Sequence, residues 1–224
     1  GAHRLPPMLV LLPPSEGKSR PEAGEPVDLG SLAFAAALSE KRDEALDALD
    51  PGLRTAPAAP AAELYTGVLF QRLRLPELPA KARGRVLVAS FLWGMVGPED
   101  RIPHYRFSPK TRLERIGPPA AYWRPALAAA LPDEEGELIV DMRSGAYVSA
   151  WKPKRATRLA VRPFTESGGE RKAVSHMAKA VRGEVARALL GAKKPPADPE
   201  AAAAIAESAG FRVELGAGSL DVIV

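Results

Sequence analysis

The 224-residue chain contains no cysteine. Disulfide bonds, thiolate catalysis and cysteine-ligated zinc or iron–sulfur centres are therefore excluded. Histidine is scarce as well, because the chain has only three, and no two of them have the spacing of metal ligands on a helix. We therefore expect neither a transition-metal site nor a bound cofactor.

Long apolar stretches are also missing. No run of eighteen apolar residues occurs, and no charged-then-apolar leader precedes a small-residue cleavage site, so we expect a cytoplasmic protein without a membrane span. Residues 1–7 are interpreted as a tag or leader remnant, because Gly1-Ala2-His3 resembles an expression scar and Met8 opens an apolar run. The remaining length, 8–224, suits one domain with a sizeable core.

The net charge of +4 is small, but its distribution is uneven. Between Arg143 and Lys194 there are thirteen Lys or Arg against three Glu, so this window has a net charge of +10 and the rest of the chain −6. Such a window favours a polyanionic partner, either nucleic acid or a nucleotide, over a neutral ligand. The alternative is a basic face that is only solvated.

Hydrophobic patterning predicts strands that alternate with helices and end in a hairpin. Strands are predicted at Met8–Leu12, Val86–Ala89, Glu137–Met142, Ala156–Val161, Phe211–Leu215 and Leu220–Val224. Helices are predicted at Ser31–Leu49, Ala120–Leu131, Gly169–Leu190 and Pro199–Ala209. An Ala/Pro-rich segment at 54–62 is expected to be a mobile connection. The fold class is thus α+β (mixed α/β), with a mixed central sheet and surrounding helices.

Polar side chains follow several of the apolar runs. Ser15-Glu16-Gly17-Lys18 comes just after the first predicted strand, and Arg101, His104 and Arg106 follow the second. Ends of strands in open α/β sheets are common ligand sites, although ordinary turns and core packing remain alternatives. Candidate phosphate or ligand contacts are Lys18, Tyr65, Thr66, Gly67, Ser90, Gly94, Arg106, Ser144 and Tyr147. Candidate proton carriers are Tyr105, His104 and Asp141.

The predicted helix Gly169–Leu190 has one apolar and one basic face. Its basic face and the preceding loop supply donors that suit phosphates, although simple solvation of this face is an equal alternative. Candidate nucleic-acid contacts are Lys152, Lys154, Arg155, Lys172, Lys179, Arg182 and Gly183.

Taken together, six segments resemble those of the YaaA family of peroxide stress proteins, in an actinobacterial-type form. They are LVLLPPSEGK, LYTG, SFLWGMVGPEDRIPHYR, the YW pair, IVDMRSGAY and MAKAVRG, in family order. The resemblance implies an unusual α+β fold with a positively charged cleft, a helix-hairpin-helix-like element at Leu92–Pro98, DNA binding, and a role in limiting peroxide damage to DNA linked to intracellular iron. The family pattern highlights Lys18, Tyr65, Thr66, Gly67, Ser90, Gly94, Pro98, Tyr105, Arg106, Trp123, Ser144, Tyr147, Lys179, Arg182 and Gly183.

Two functions from different classes follow from these observations. The leading hypothesis is a DNA-binding protein of the oxidative stress response that contacts phosphates without sequence selectivity. The alternative is an enzyme acting on a nucleotide, nucleoside or other phosphorylated small molecule, in which Lys18 and Arg106 bind the anion. A partner-binding protein with an incidental basic face is a third hypothesis.

Overall fold

A computed structural model of the chain describes residues 8–175 and 177–224. The expected leader remnant at 1–7 and His176 lie outside the described residues. Among the helices that are described, none is long and apolar enough to cross a bilayer.

Within the described residues, ten strands form two sheets. They are β1 (Met8–Leu12), β2 (Ala58–Pro60), β3 (Val86–Ser90), β4 (Gly94–Val96), β5 (Arg101–Pro103), β6 (Leu138–Asp141), β7 (Thr157–Ser167), β8 (Glu170–Ala173), β9 (Arg212–Gly216) and β10 (Ser219–Ile223). The larger sheet has the order β4-β3-β1-β6-β7-β10-β9, and β8 pairs with β7. The small sheet is β2 against β5.

The centre of the larger sheet is parallel. β1 pairs in parallel with both β3 and β6, and β6–β7 and β7–β10 are parallel as well, whereas β4, β8 and β9 are antiparallel to their neighbours. Every residue of β1, β3 and β6 is buried, as expected of apolar strands in a parallel sheet that is covered on both faces. The predicted mixed central sheet and the α+β fold class are confirmed.

Eight α-helices in the described part of the chain accompany the sheets. They are α1 (Ala35–Leu49), α2 (Ala61–Leu64), α3 (Val68–Leu73), α4 (Ala80–Arg83), α5 (Pro119–Ala130), α6 (Gly145–Val148), α7 (Ala178–Gly191) and α8 (Pro199–Ser208). α1 packs on α5, while α7 contacts α3, α8 and β7. Val181 and Val185 of the predicted apolar face are buried in α7, whereas Met177, just before the helix, is 54% exposed.

One predicted helix is in fact a hairpin followed by a shorter helix. β7 continues to Ser167, Gly168 and Gly169 turn the chain with φ values of 61° and 81°, and β8 returns antiparallel before α7 begins. Two adjacent glycines adopt these left-handed values without a Cβ penalty, so they favour the turn over a helix start. The prediction of a helix from Gly169 was wrong, and Lys172 lies on a strand instead.

The Ala/Pro-rich segment at 54–62 also differs from its expectation. β2 and the start of α2 lie inside it, and Ala58 and Ala61 are fully buried. Their small side chains do not anchor the segment, but its backbone does, because the amides of Ala61 and Ala62 donate to the carbonyl oxygens of Asp100 (2.8 Å) and Pro98 (2.9 Å). Hydrogen bonding of the main chain thus orders a stretch that composition alone presents as a linker.

The segment Leu92–Pro98 contains strand β4 and belongs to a β-hairpin. β3 and β4 pair antiparallel across the turn at 91–93, and strands rather than helices flank that turn, so the helix-hairpin-helix-like expectation is corrected. Gly94 has φ 75° and lies against the Trp123 ring, where a Cβ would be 2.8 Å from Cε3. The lack of a side chain at Gly94 therefore lets the Trp123 indole pack closely in the core. The backbone of Gly94 is covered by this ring and is not available to a ligand.

Candidate functional site

A cleft of about 480 Å³ opens beside the carboxyl end of β1. The loops after β1 and after β5 supply most of its wall, and α6 contributes Tyr147. We call it the strand-end cleft; it is lined by Pro14, Ser15, Glu16, Gly17, Lys18, Arg20, His104, Arg106, Phe107, Ser108, Pro109, Thr111 and Tyr147.

Four candidates from the sequence therefore meet in one place: Lys18, His104, Arg106 and Tyr147. Sequence reasoning missed Arg20, which adds a third Lys or Arg, and among the described residues Glu16 is the one carboxylate in the wall. The signal for Arg20 was present, since it follows Lys18 by two residues in the same strand-end loop.

Next to the cleft lies a buried chain of three hydroxyls, formed by Ser90, Tyr105 and Tyr65. The oxygen of Tyr105 is 2.8 Å from Ser90 Oγ and 2.6 Å from the Tyr65 oxygen. Ser90 Oγ also accepts hydrogen bonds from the backbone amides of Leu92 and Trp93, both at 3.2 Å. Since a hydroxyl accepts about two bonds and donates one, Ser90 donates to Tyr105, and the two phenols share the next bond of the chain.

The β1 loop is fastened to the segment that carries Tyr65. Lys18 and Tyr65 form an antiparallel bridge, and the amide of Thr66 donates to the Gly17 carbonyl at 3.0 Å. Gly67 donates to Ser15 Oγ at 3.2 Å, and a Cβ at Gly67 would be only 2.6 Å from the Ser15 Cβ. Thr66 and Gly67 thus support the loop that presents Lys18, rather than lining the cleft themselves.

Lys18 rests on aromatic rings. Its Nζ lies 4.5 Å from the centroid of the Tyr105 ring and 5.9 Å from that of Tyr65. Burial lowers the pKa of Lys18 to about 8, and the charge of Arg106 adds to this lowering, while Glu16 opposes it. The amine is therefore much easier to deprotonate than that of an ordinary lysine.

The other titratable groups divide by their environment. Burial raises the pKa of Tyr105 to about 12 and that of Tyr65 well above its usual value, so both phenols stay neutral and act as hydrogen-bond partners. Burial also raises the pKa of Tyr147, which stacks on Phe91 at 4.3 Å. The pKa of His104 shifts downward instead, because partial burial and the charges of Arg20, Lys18 and Arg106 disfavour its protonated form. The neutral imidazole is therefore favoured.

Asp141 was a candidate proton carrier at a strand end, but it is buried in the protein and does not line the cleft. It is 2% exposed and bound by two guanidinium groups, from Arg143 at 2.9 Å and Arg158 at 2.8 Å. Burial favours its neutral form, but the hydrogen bonds and charges of the two arginines outweigh this and lower its pKa. A stably ionised carboxylate outside the cleft wall is not a proton carrier, so that candidate role is corrected.

The Asp141–Arg143 pair instead shapes the segment that reaches the cleft. Arg143 donates to the carbonyl oxygens of Tyr147 (3.3 Å) and Trp151 (2.7 Å), and so holds α6 and the turn after it. Ser144 is exposed at the start of α6 and does not line the cleft. Sequence reasoning missed Arg143, since nothing in the local pattern shows that its charge is buried.

The candidate nucleic-acid contacts do not line the strand-end cleft. Lys152, Lys154, Arg155, Lys172 and Lys179 are exposed on the surface, and Arg155 pairs with Glu134 at 3.5 Å.

Two residues of that set face the protein itself. Arg182 is partly buried and donates to the Val161 carbonyl at 3.2 Å. Gly183 is buried against α3, where a Cβ would lie 2.4 Å from the Leu69 carbonyl oxygen. Gly183 is therefore a helix-packing residue, and its assignment to nucleic acid is corrected.

No group of three or more His, Asp or Glu arranged to hold a metal ion occurs in the described ranges, 8–175 and 177–224.

Comparison with known proteins identifies the relatives of this chain. A family model described as "Peroxide stress protein YaaA" matches residues 25–215. A UPF0246 protein of Streptomyces coelicolor is 39% identical, over 97% of this chain and 98% of the relative. A UPF0246 protein of Corynebacterium glutamicum is 34% identical, over 92% and 95%. An uncharacterized protein of Campylobacter jejuni is 30% identical over 64% of this chain and 58% of its own length.

The family resemblance carried by the ordered segments is thus confirmed over most of the chain. The chain belongs to the YaaA family of peroxide stress proteins.

Proposed function

We propose that this peroxide stress protein binds DNA without sequence selectivity and that phosphate groups enter the strand-end cleft. The observation that supports this is the gathering of Lys18, Arg20 and Arg106 in one open cleft whose wall holds a single carboxylate, Glu16. Arginine and lysine side chains are the usual phosphate donors in protein–DNA interfaces, and contacts to phosphates carry no base information.

Backbone donors of the β3–β4 hairpin are not part of this proposal. Gly94 is buried under Trp123, and the Gly97 amide already donates to the Asp100 carboxylate at 2.9 Å. Exposed lysines outside the cleft, such as Lys152, Lys154 and Lys179, extend the positive surface available to a polyanion. Arg158 and Arg162 add less, because they pair with Asp141 and Asp221.

Salt dependence tests the proposal. Neutralising about five phosphates gives a slope of roughly −4 to −5 for log K against log salt concentration on duplex DNA. We expect Arg106→Ala to weaken binding and to make the slope less negative by about 0.9, since one phosphate contact is lost. Fluorescence anisotropy with labelled duplexes of two unrelated sequences measures both quantities.

Lys193→Ala is the matched control, because Lys193 is exposed and does not line the cleft. It should bind like the wild type. A slope near zero, or no binding at low salt, would refute DNA binding. If Lys179→Ala weakened DNA binding and Arg106→Ala did not, the DNA-binding site would lie on the surface of α7 and not in the cleft.

A second candidate function is an enzyme that acts on a nucleotide, nucleoside or other phosphorylated small molecule. The buried hydroxyl chain of Ser90, Tyr105 and Tyr65 next to Lys18 favours this function. Contacts to the phosphate backbone of DNA do not require ordered, buried hydroxyls. In that role Arg106 and Lys18 bind the anion and the neutral His104 accepts a proton. Such an enzyme binds a nucleotide or sugar phosphate and loses that binding in Arg106→Ala, but it does not bind duplex DNA.

A further inference from the structure

Lys18 is partly buried against tyrosine rings, unlike a lysine whose only role is to bind phosphate from solvent. It is the one lysine in the wall of the strand-end cleft among the described residues, and it is only partly exposed. Its Nζ lies over the faces of two tyrosine rings, and the positive charge of Arg106 acts on it in the same cleft. A desolvated amine beside another cation is the arrangement that activates a lysine as a nucleophile.

The amount of reactive amine follows from this environment. A lysine nucleophile attacks only when it is unprotonated. With a pKa of about 8, roughly a tenth of the Lys18 amines are neutral at pH 7, against well under about one in a thousand for an ordinary lysine. Phosphate binding alone gains nothing from such a change, because a neutral amine attracts an anion less strongly.

The size and polarity of the cleft indicate what Lys18 can meet there. A volume of about 480 Å³ is ample for one phosphorylated sugar, and Arg20 and Arg106 share the wall with Lys18. A phosphate held by these arginines places the sugar attached to it beside the amine. An open-chain sugar presents an aldehyde, which is the partner of an amine in imine formation.

We propose that Lys18 forms an imine with the aldehyde of a sugar phosphate bound in the strand-end cleft. The inference rests on the proposed binding of phosphate at this site. The aldehyde has two sources, a free aldose phosphate or the ring-opened sugar at an abasic position in DNA. Their chemistry at Lys18 is the same.

Atoms and protons balance without any additional reactant. The Lys18 nitrogen attacks the carbonyl carbon and a C–N bond forms. His104 lines the same cleft in its neutral form, takes one proton from the nitrogen and passes it to the carbonyl oxygen, which becomes a hydroxyl. His104 then transfers the second nitrogen proton to that hydroxyl, which leaves as water while the C=N bond forms.

Reductive trapping tests the proposal. The protein is incubated with borohydride and either ribose 5-phosphate or a duplex containing one abasic position, and the products are analysed by intact mass and peptide mapping. We expect one adduct per chain, located at Lys18, and at least a tenfold loss of adduct in Lys18→Arg, which keeps a cation but not the nucleophile. Lys110→Ala is the matched control, because Lys110 lies between two cleft residues, Pro109 and Thr111, without lining the cleft, and it should label like the wild type.

The pH profile of trapping provides a second readout. The groups that face Lys18 are Glu16, Arg106, His104, Tyr65 and Tyr105. Trapping should rise with a midpoint near pH 8, and Arg106→Ala should move the midpoint upward, because removing that charge favours the protonated amine. Ribose without its phosphate should label several-fold less.

The possible failures are distinguishable. Wild-type protein that binds the abasic duplex by anisotropy, but yields no Lys18 adduct, overturns the imine and leaves DNA binding intact. Adducts spread over exposed lysines, or Lys18→Arg labelling as well as wild type, overturn it too. Labelling with ribose 5-phosphate but not with the bound abasic duplex assigns the aldehyde to the free sugar, and the reverse assigns it to DNA.

Discussion

At the scale of single residues, Asp141 shows how a polar group near a ligand site can serve the fold instead. Its carboxylate is buried and contacts the guanidinium groups of Arg143 and Arg158. Arg143 in turn binds the carbonyl oxygens of Tyr147 and Trp151, so one ion pair holds the helix that brings Tyr147 to the strand-end cleft. Breaking such a pair costs more than its formation contributes, because one charge is left buried without a partner.

We predict that Asp141→Asn lowers the free energy of unfolding by about 3 kcal/mol, since the Arg143 charge stays buried without its counter-ion. Urea denaturation measures the change. Asp43→Asn, which removes an exposed partner of Arg54, is the control and should cost less than about 1 kcal/mol. Equal losses of stability in the two variants would show that the buried Asp141–Arg143 pair contributes no more than an exposed pair.

The same residue predicts a pH dependence. The folded-state pKa of Asp141 is below its ordinary value, so its ionised form stabilises the protein above about pH 4, and this stability is lost as the pH falls towards the folded-state pKa. The wild type should therefore lose more stability between pH 6 and pH 3 than Asp141→Asn does. Parallel denaturation curves at the two pH values compare them.

At the scale of elements, the packing of α7 on α3 depends on one glycine. A Cβ on Gly183 would lie 2.4 Å from the Leu69 carbonyl oxygen and 2.9 Å from the Arg72 Cβ, both on α3. The helices approach closely only because position 183 has no side chain. Sequence reasoning assigned Gly183 to contact with nucleic acid, whereas the group that approaches it is a neighbouring helix.

We predict that Gly183→Ala lowers the free energy of unfolding by about 1–3 kcal/mol, because the added methyl forces α3 and α7 apart. Gly191→Ala on the same helix is the control, since no atom lies within 4 Å of its Cβ position. That variant should be unchanged or more stable by up to about 1 kcal/mol. If Gly183→Ala also left the free energy of unfolding unchanged, the close packing of α7 on α3 would not depend on the glycine.

At the scale of the whole molecule, the strand-end cleft is built from segments that are far apart in sequence. The residues from Pro14 to Arg20 follow β1, those from His104 to Thr111 follow β5, and Tyr147 comes from α6. β1 lies between β3 and β6 in a parallel arrangement, so the carboxyl ends of all three strands share one edge of the sheet. A ligand held across these loops stabilises the folded chain as a whole.

We predict that a nucleoside monophosphate raises the melting temperature of the protein. At one hundred times its Kd the stabilisation is about 2.7 kcal/mol, which corresponds to roughly 5–10 °C for a domain of this size. Arg106→Ala should lose most of the shift, while Lys193→Ala should keep it. Thermal-shift measurements against nucleotides and sugar phosphates test this, and an undiminished shift in Arg106→Ala would place the ligand elsewhere.

Sequence alone determined the strands that carry the fold. β1, β3 and β6 are continuous apolar runs, and burial on both faces of a parallel sheet requires that pattern, so composition and position were sufficient. The β9–β10 hairpin was predicted as well, and the ordered segments indicated the family. β8 was missed because all four of its residues are exposed, so only backbone pairing, and no hydrophobic period, defines it.

Tertiary structure decided which polar residues act together. Lys18, His104, Arg106 and Tyr147 were each suggested by residue type, but their meeting depends on the order of the strands, which no local pattern records. The ion pairs of Asp141, the burial of Gly94 under Trp123 and the contact of Gly183 with α3 are likewise distances between remote segments. Hydrophobic periodicity specifies which face of an element is buried, whereas the partner of a charge is specified only when the chain has folded.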